Sequence, residues 1–81
     1  MQVLYFAWMR ERIGLPKEQV ETKAETVAAL VEELKARGER YAAAFADMAS
    51  VRVAVDQELT ELSASIKGAR EVAFFPPMTG G

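Results

Sequence analysis

An α+β domain, in which a mixed β-sheet packs around one main helix, is what these 81 residues predict. Three observations lead there. Val27, Leu30, Val31 and Leu34 recur at i, i+3, i+4 and i+7, the apolar stripe of an amphipathic helix. Two strongly apolar runs, Val3 to Trp8 and Glu71 to Phe75, stand near opposite ends of the chain; the first is apolar at both parities, as in a strand covered on both faces. Between them, Val51-Arg52-Val53-Ala54-Val55 alternates large apolar residues with Arg and Ala, the period of a half-buried strand.

Taken in order, Val3 to Trp8 is rich in β-branched and aromatic residues and belongs at the centre of the sheet. Arg10 to Lys17 brings charges, Gly14 and Pro16, and reads as a long hairpin loop before a polar strand over Glu18 to Thr22, nearer an edge. Thr26 is placed to cap the main helix. Lys35 and Arg37 suit its last turn, and Gly38 the left-handed position that ends it. A short alanine-rich helix, Arg40 to Phe45, follows with Tyr41 and Phe45 on one side. After the Val51 to Val55 strand, Asp56-Gln57 is a turn, Leu59 and Leu62 flank a segment able to pair briefly, and Lys67-Gly68-Ala69 is a bend before the last strand. The first and last strands, being the most apolar, pair in parallel at the sheet centre. That arrangement is the β-grasp, expected over residues 1–75, with 76–81 as a projecting tail.

Composition removes most chemistry. The chain has no cysteine and no histidine, so the usual thiol nucleophile, the usual base near neutral pH, disulfides and Cys/His zinc sites are all absent. A hydrophobic share of 51%, with one Trp, four Phe and two Tyr, must supply the core by itself. Ser50, Ser63 and Ser65 sit in no nucleophile elbow, and the five glycines form no phosphate-cradling loop. Adjacent Glu32 and Glu33 cannot share one helix face. Ten basic against twelve acidic residues, a net charge of −2, give no general attraction to nucleic acid or anionic lipid. The longest apolar run, Val3 to Met9, is far short of the roughly 20 residues that cross a bilayer. Neither nucleic acid nor membrane is expected as a partner, no metal or cofactor is expected on this chain, and a cytoplasmic location is expected in the absence of a signal segment.

What chemistry remains concentrates in the last residues. Pro76 and Pro77 lack N–H donors and hold φ near −65°, so they aim the tail or simply end the strand. Met78 and Thr79 lead to Gly80 and Gly81, whose bare backbone threads a channel too narrow for any Cβ. On this reading the Gly81 carboxylate is the reactive group. A carboxylate is a poor electrophile, its charge being spread over two oxygens, so a partner has to activate it, for instance as an acyl-adenylate. Phe74 and Phe75 point to opposite faces of the last strand, one into the core and the other toward a partner. Arg10 is either a cation for an acidic partner residue or a solvated loop charge.

Val3-Leu4-Tyr5-Phe6-Ala7 with Arg10-Glu11, the Thr26-Val27 helix start, Arg52 to Gln57, and above all Phe74-Phe75-Pro76-Pro77-Met78-Thr79-Gly80-Gly81 resemble the small subunit of molybdopterin synthase, the MoaD family of ubiquitin-like sulfur carriers. The likeness spans nearly the whole chain. It implies that Gly81 is adenylated by an E1-like enzyme using ATP and magnesium, then receives sulfur from a donor enzyme as a thiocarboxylate. The tail would deliver that sulfur to cyclic pyranopterin monophosphate, forming the molybdopterin dithiolene of the molybdenum cofactor. This would occur within a heterotetramer of two small and two large subunits, with the catalytic side chains on the large subunit. Under it, Phe74 to Gly80 and Arg10 are the partner-binding residues.

Other readings share the Gly-Gly end: a sulfur carrier of another pathway, such as the thiamine type, a ubiquitin-like protein modifier, or a plain interaction domain. The Phe-Phe-Pro-Pro approach argues against the thiamine type. Two positions depart from the family's habit. Asp56 stands where Asn is common, and Ala69-Arg70 where Gly-Asp is common, which bears on the turn before the last strand.

Overall fold

A computed structural model describes residues 1–77. Five strands, β1 (Gln2–Tyr5), β2 (Lys17–Gln19), β3 (Arg52–Val55), β4 (Glu58–Thr60) and β5 (Glu71–Phe75), form one sheet in the order β2-β1-β5-β3-β4. Helices α1 (Ala7–Ile13), α2 (Val27–Lys35) and α3 (Glu39–Ala44), with a 3₁₀ turn at Met48–Ser50, complete the chain. The sheet is mixed: β1 runs parallel to β5, and the other pairs are antiparallel. This is a β-grasp, and the first and last strands meet at its centre as their apolar runs predict.

Alternation along the strands sorts the sheet into two faces. Val3, Tyr5, Val53, Val72 and Phe74 are buried on one. Against them pack Met9 and Ile13 of α1, Val27, Leu30, Val31 and Leu34 of α2, and Ala44 and Phe45 from the end of α3. Phe45 meets Phe74 edge-on with ring centroids 4.9 Å apart, while Tyr5 stacks on Phe74 at 6.3 Å. Each such side chain contributes roughly 1.5–3 kcal/mol by leaving water, and aromatic pairing adds to this.

The main helix starts as its sequence predicts, with the Thr26 hydroxyl oxygen accepting from the Ala29 N–H at 3.2 Å. Its end differs. Ala36 closes α2 in a right-handed conformation, and Gly38, at φ 160°, is extended backbone that starts α3. Gly38 is therefore not a left-handed cap. Arg37 has left the helix as well, and its guanidinium bonds Glu18 Oε1 at 2.8 Å.

The largest departure lies between β1 and β2. The apolar run to Trp8 predicts a strand and Arg10 to Lys17 a loop, yet the strand stops at Tyr5 and a helix occupies Ala7–Ile13. Ala7, at φ 53°, turns the chain out of the sheet. Met9 and Ile13, four apart, then bury one side of α1. Gly14, at φ 94°, supplies the left-handed end, its N–H bonding the Arg10 carbonyl at 2.8 Å. The second strand is displaced too, to Lys17–Gln19, and it lies at the sheet edge.

The Ala69-Arg70 departure is absorbed locally. Gly68 takes the positive φ of 74°, and the Ala69 N–H closes the turn onto the Ile66 carbonyl at 3.1 Å. Ala69 packs partly against the core. The Arg70 N–H and the Glu71 N–H both donate to Asp56 Oδ1, at 2.9 and 3.0 Å. An Asp at this position thus ties the β3–β4 turn to the start of β5.

Candidate functional site

The strand that leads to the tail is the middle of the sheet. β5 is flanked on both sides by hydrogen-bonded neighbours, so its end is held firmly where Pro76 follows. One further bond continues the ladder past β1: the Phe6 N–H donates to the Phe74 carbonyl at 3.1 Å. Pro76 and Pro77 are half-buried. They offer no N–H for another strand partner, so pairing ends there.

Phe74 is fully buried between Tyr5 and Phe45, which removes it from the partner-binding residues expected from the sequence. Phe75, on the opposite side of the strand, is partly exposed and stands opposite Arg52. Across the same face, Leu4 pairs with Ala73, Ala73 with Ala54, and Ala54 with Leu59. Among the described residues, the helical side chains of the core pack with Val3, Tyr5, Val53, Val72 and Phe74, on the other face. Leu59 is 71% exposed and Phe6 44% exposed, the two most exposed large apolar side chains among the described residues. An apolar band therefore runs over the open face from the edge strand to the tail exit, with small alanines at its middle. Such a band fits a flat partner surface.

Arg10 lies on α1, not in a loop, and is exposed. Its N–H reaches the Phe6 carbonyl at 3.4 Å, so one turn of backbone connects it to Phe6 and, through Phe6, to the end of β5. Arg10, Phe6, Phe75 and Pro76 thus gather at one end of the sheet. Met78, Thr79, Gly80 and Gly81 lie outside the described residues.

Sequence reasoning missed Leu59 and Phe6 as site residues. Leu59 reads as a strand apolar residue, and only the sheet order reveals that its face is uncovered. Among the described residues no group of three or more His, Cys, Asp and Glu could hold a metal ion, and no helix is long and apolar enough to cross a membrane.

A third feature supports the site from behind. Glu18 Oε2 accepts hydrogen bonds from the Tyr5 hydroxyl at 2.8 Å and the Tyr41 hydroxyl at 2.9 Å. Burial first, then the bond to the Glu18 carboxylate, pushes both phenols above their ordinary range. They remain protonated donors, which fixes β2 and α3 to the strand beside β5.

Residues 3–81 match the ThiS family. The chain belongs to the ThiS family. Two relatives are similar to the whole of this chain: the molybdopterin synthase sulfur carrier subunit of Haemophilus influenzae, 40% identical, and that of Escherichia coli, 38% identical. Each alignment covers 100% of this chain and 99% of the relative. The resemblance drawn from the residues is borne out. Among solved structures, SAMP1 from Haloferax volcanii superimposes with a TM-score of 0.74 at 22% identity, covering 100% of this chain and 98% of that one, a likeness of fold. A Pyrococcus furiosus protein described as molybdopterin converting factor, subunit 1, gives a TM-score of 0.71 at 26% identity, with 95% of each chain covered.

Proposed function

We propose that this member of the ThiS family is the sulfur carrier subunit of a molybdopterin synthase. The observation that carries the reading is whole-length identity of about 40% to two subunits of that name. The open apolar band beside the exit of β5 supports it, because a carrier without catalytic side chains must dock on enzymes that have them.

In the proposed cycle a Gly81 carboxylate oxygen attacks the α-phosphorus of ATP on an E1-like enzyme with magnesium, and pyrophosphate leaves. A persulfide sulfur of a donor enzyme then attacks the acyl carbon and displaces AMP, and a thiol cleaves the S–S bond of the resulting acyl disulfide, releasing the thiocarboxylate and leaving the donor as a disulfide. On the large synthase subunit the thiocarboxylate sulfur attacks an oxygen-bearing side-chain carbon of cyclic pyranopterin monophosphate, the C–O bond at that carbon breaks with the oxygen leaving on the phosphate or as water, and a second water then cleaves the acyl–sulfur bond. Sulfur stays on the pterin and the carboxylate is regenerated. Two such deliveries complete the dithiolene, in a heterotetramer of two small and two large subunits. Within this scheme Thr79 and Gly80 thread the partner's channel, Pro76 and Pro77 aim the tail, and Phe75, Phe6, Leu59 and Arg10 dock.

Incubation with the activating enzyme, ATP and a sulfur donor, followed by intact mass measurement, tests the reading. A gain of about 16 Da at the carboxyl group is expected, and its absence under conditions that charge an established carrier overturns the proposal. Deleting Gly81 should abolish the gain and leave the melting temperature unchanged, since the core cluster ends at Phe74. Adducts to lysines of other proteins in place of sulfur transfer would make the chain a modifier.

A further inference from the structure

The ladders on the two sides of β5 fix which backbone groups would meet the chain beyond Phe75. Successive N–H groups along a strand point to opposite sides, so those of residues 74 and 76 belong to the β1 side and those of residues 75 and 77 to the β3 side. On the β1 side the Gln2 N–H donates to the Arg70 carbonyl at 2.9 Å and the Phe6 N–H to the Phe74 carbonyl at 3.1 Å. The even spacing of a parallel pair makes the Phe6 carbonyl the next acceptor, and its donor would be the N–H of residue 76. On the β3 side the Asp56 N–H donates to the Glu71 carbonyl at 2.9 Å. Every second opposed pair exchanges bonds from there, Ala54 with Ala73 and then Arg52 with Phe75, so the next donor would be residue 77, opposite Ser50.

Both of those positions hold proline, and the acceptors they face differ. The Phe6 carbonyl already accepts from the Met9 N–H at 3.1 Å and the Arg10 N–H at 3.4 Å, because Ala7, at φ 53°, turns the chain straight into α1. An N–H at position 76 would contend for that oxygen with the first turn of α1, which presents Arg10. On the other side the Ser50 N–H is spent on the Asp47 carbonyl at 3.0 Å. Val51 is extended, with φ −122° and ψ 133°, so the alternation carries through it and turns the Ser50 carbonyl toward the β5 side. An N–H at position 77 would meet that carbonyl. One proline would therefore close one flank and leave the other open.

We propose that Pro76 and Pro77 are positioning residues that form a two-sided release, one proline for each neighbour of β5, and that they set Pro76 as the point from which a partner enzyme can take hold of the chain by both backbone edges. Pro76 guards the β1 flank and keeps the start of α1 intact. Pro77 guards the β3 flank. With N–H groups at both positions β5 would lengthen by two residues, about 7 Å, at the expense of the chain that a narrow channel can admit. That use rests on the sulfur-carrier reading, whereas the pairing rests on the ladder alone.

Amide exchange and charging kinetics on the full-length protein test this. In Pro77→Ala the new amide at position 77 should exchange about fivefold more slowly than an unpaired amide in the same sequence, the net effect of one hydrogen bond. In Pro76→Ala the Met9 and Arg10 amides should exchange faster than in the natural protein. Charging by the activating enzyme with ATP and a sulfur donor, followed by intact mass measurement, should give Pro77→Ala a KM raised by the same factor of about five, because only the unpaired fraction binds, so that the loss falls on KM and not on kcat. N-methylalanine at position 77, placed by chemical synthesis of the chain, lacks both the N–H and the ring and should return KM to the natural value. Amide spectra check that each variant is folded. An amide at position 77 that exchanges at the unpaired rate, a natural KM despite a protected amide, or a KM raised equally by N-methylalanine overturns the proposal. Failure of the natural protein to be charged would count against the sulfur-carrier reading, and the exchange rates alone would then decide the pairing.

Discussion

Tyr5 and Tyr41 donate to the same carboxylate oxygen, Oε2 of Glu18, at 2.8 and 2.9 Å, while Arg37 holds the other oxygen at 2.8 Å. Tyr5 comes from the strand beside β5, Tyr41 from α3, Arg37 from the turn after α2 and Glu18 from the edge strand, so one carboxylate joins four parts of the fold. Tyr5 is 1% exposed, and its hydroxyl has no water to fall back on.

Glu18→Ala should therefore be costly for a residue on an edge strand. Removing the acceptor strands the Tyr5 hydroxyl, for which loss of a buried partner costs about 1–3 kcal/mol. A fall in melting temperature of roughly 5–15 °C is expected for a domain of this size, read by calorimetry or circular dichroism. Tyr41→Phe, at a partly exposed position, should lose less.

The same cluster predicts how the protein responds to alkali. Both phenols are held above the ordinary tyrosine value of about 10 in the folded chain. The unfolded chain thus releases these protons first, so the contribution to stability is full below pH about 10 and is lost as pH rises toward the folded values. Melting temperature should fall more steeply above pH about 10 in the natural protein than in Tyr5→Phe, with parallel behaviour between pH 6 and 9.

The β3–β4 turn offers a stabilising change. Asp56 and Gln57 have φ of 48° and 70°, both in the left-handed region where glycine is favoured. Gln57→Gly should raise stability by about 1 kcal/mol in denaturant titration. Asp56→Ala should lower it by about 1–2 kcal/mol, because Oδ1 receives two backbone N–H groups. Asp56→Asn retains that oxygen and should change little.

Docking and folding separate on the two faces of the sheet. Leu59→Glu, at a 71% exposed position, should leave stability within about 0.5 kcal/mol, yet weaken binding to the large synthase subunit at least tenfold in calorimetric titration. Phe74→Ala should cost about 3–5 kcal/mol and abolish binding through unfolding. Equal loss of stability in both variants would contradict the separation.

Much of this was legible in the residues. Thr26 and the stripe from Val27 to Leu34 define α2, the alternation around Val53 defines β3, and the apolar ends of the chain define the central pair. Two things were not. The run through Trp8 has strand composition, and its helical signal is a single pair, Met9 and Ile13, followed by Gly14; local composition outweighed a spacing that only tertiary burial makes decisive. The docking band escaped because period-2 alternation tells which residues share a face and not which face the helices cover. Phe74 and Phe75 show the same limit: their opposition could be read, but their assignment needed the sheet order.

The position of β5 also dictates how the domain must assemble. β1 with β2, and β3 with β4, can each form from nearby residues, whereas β5 bridges them and its parallel partner is about seventy residues away in sequence. Such long-range pairing is slow and comes after local pairing. Two hairpins wait, in effect, for a keystone that is also the stem of the tail. A carrier that has not finished folding has no continuous open face to offer, so an activating enzyme that recognises that face would charge finished molecules only.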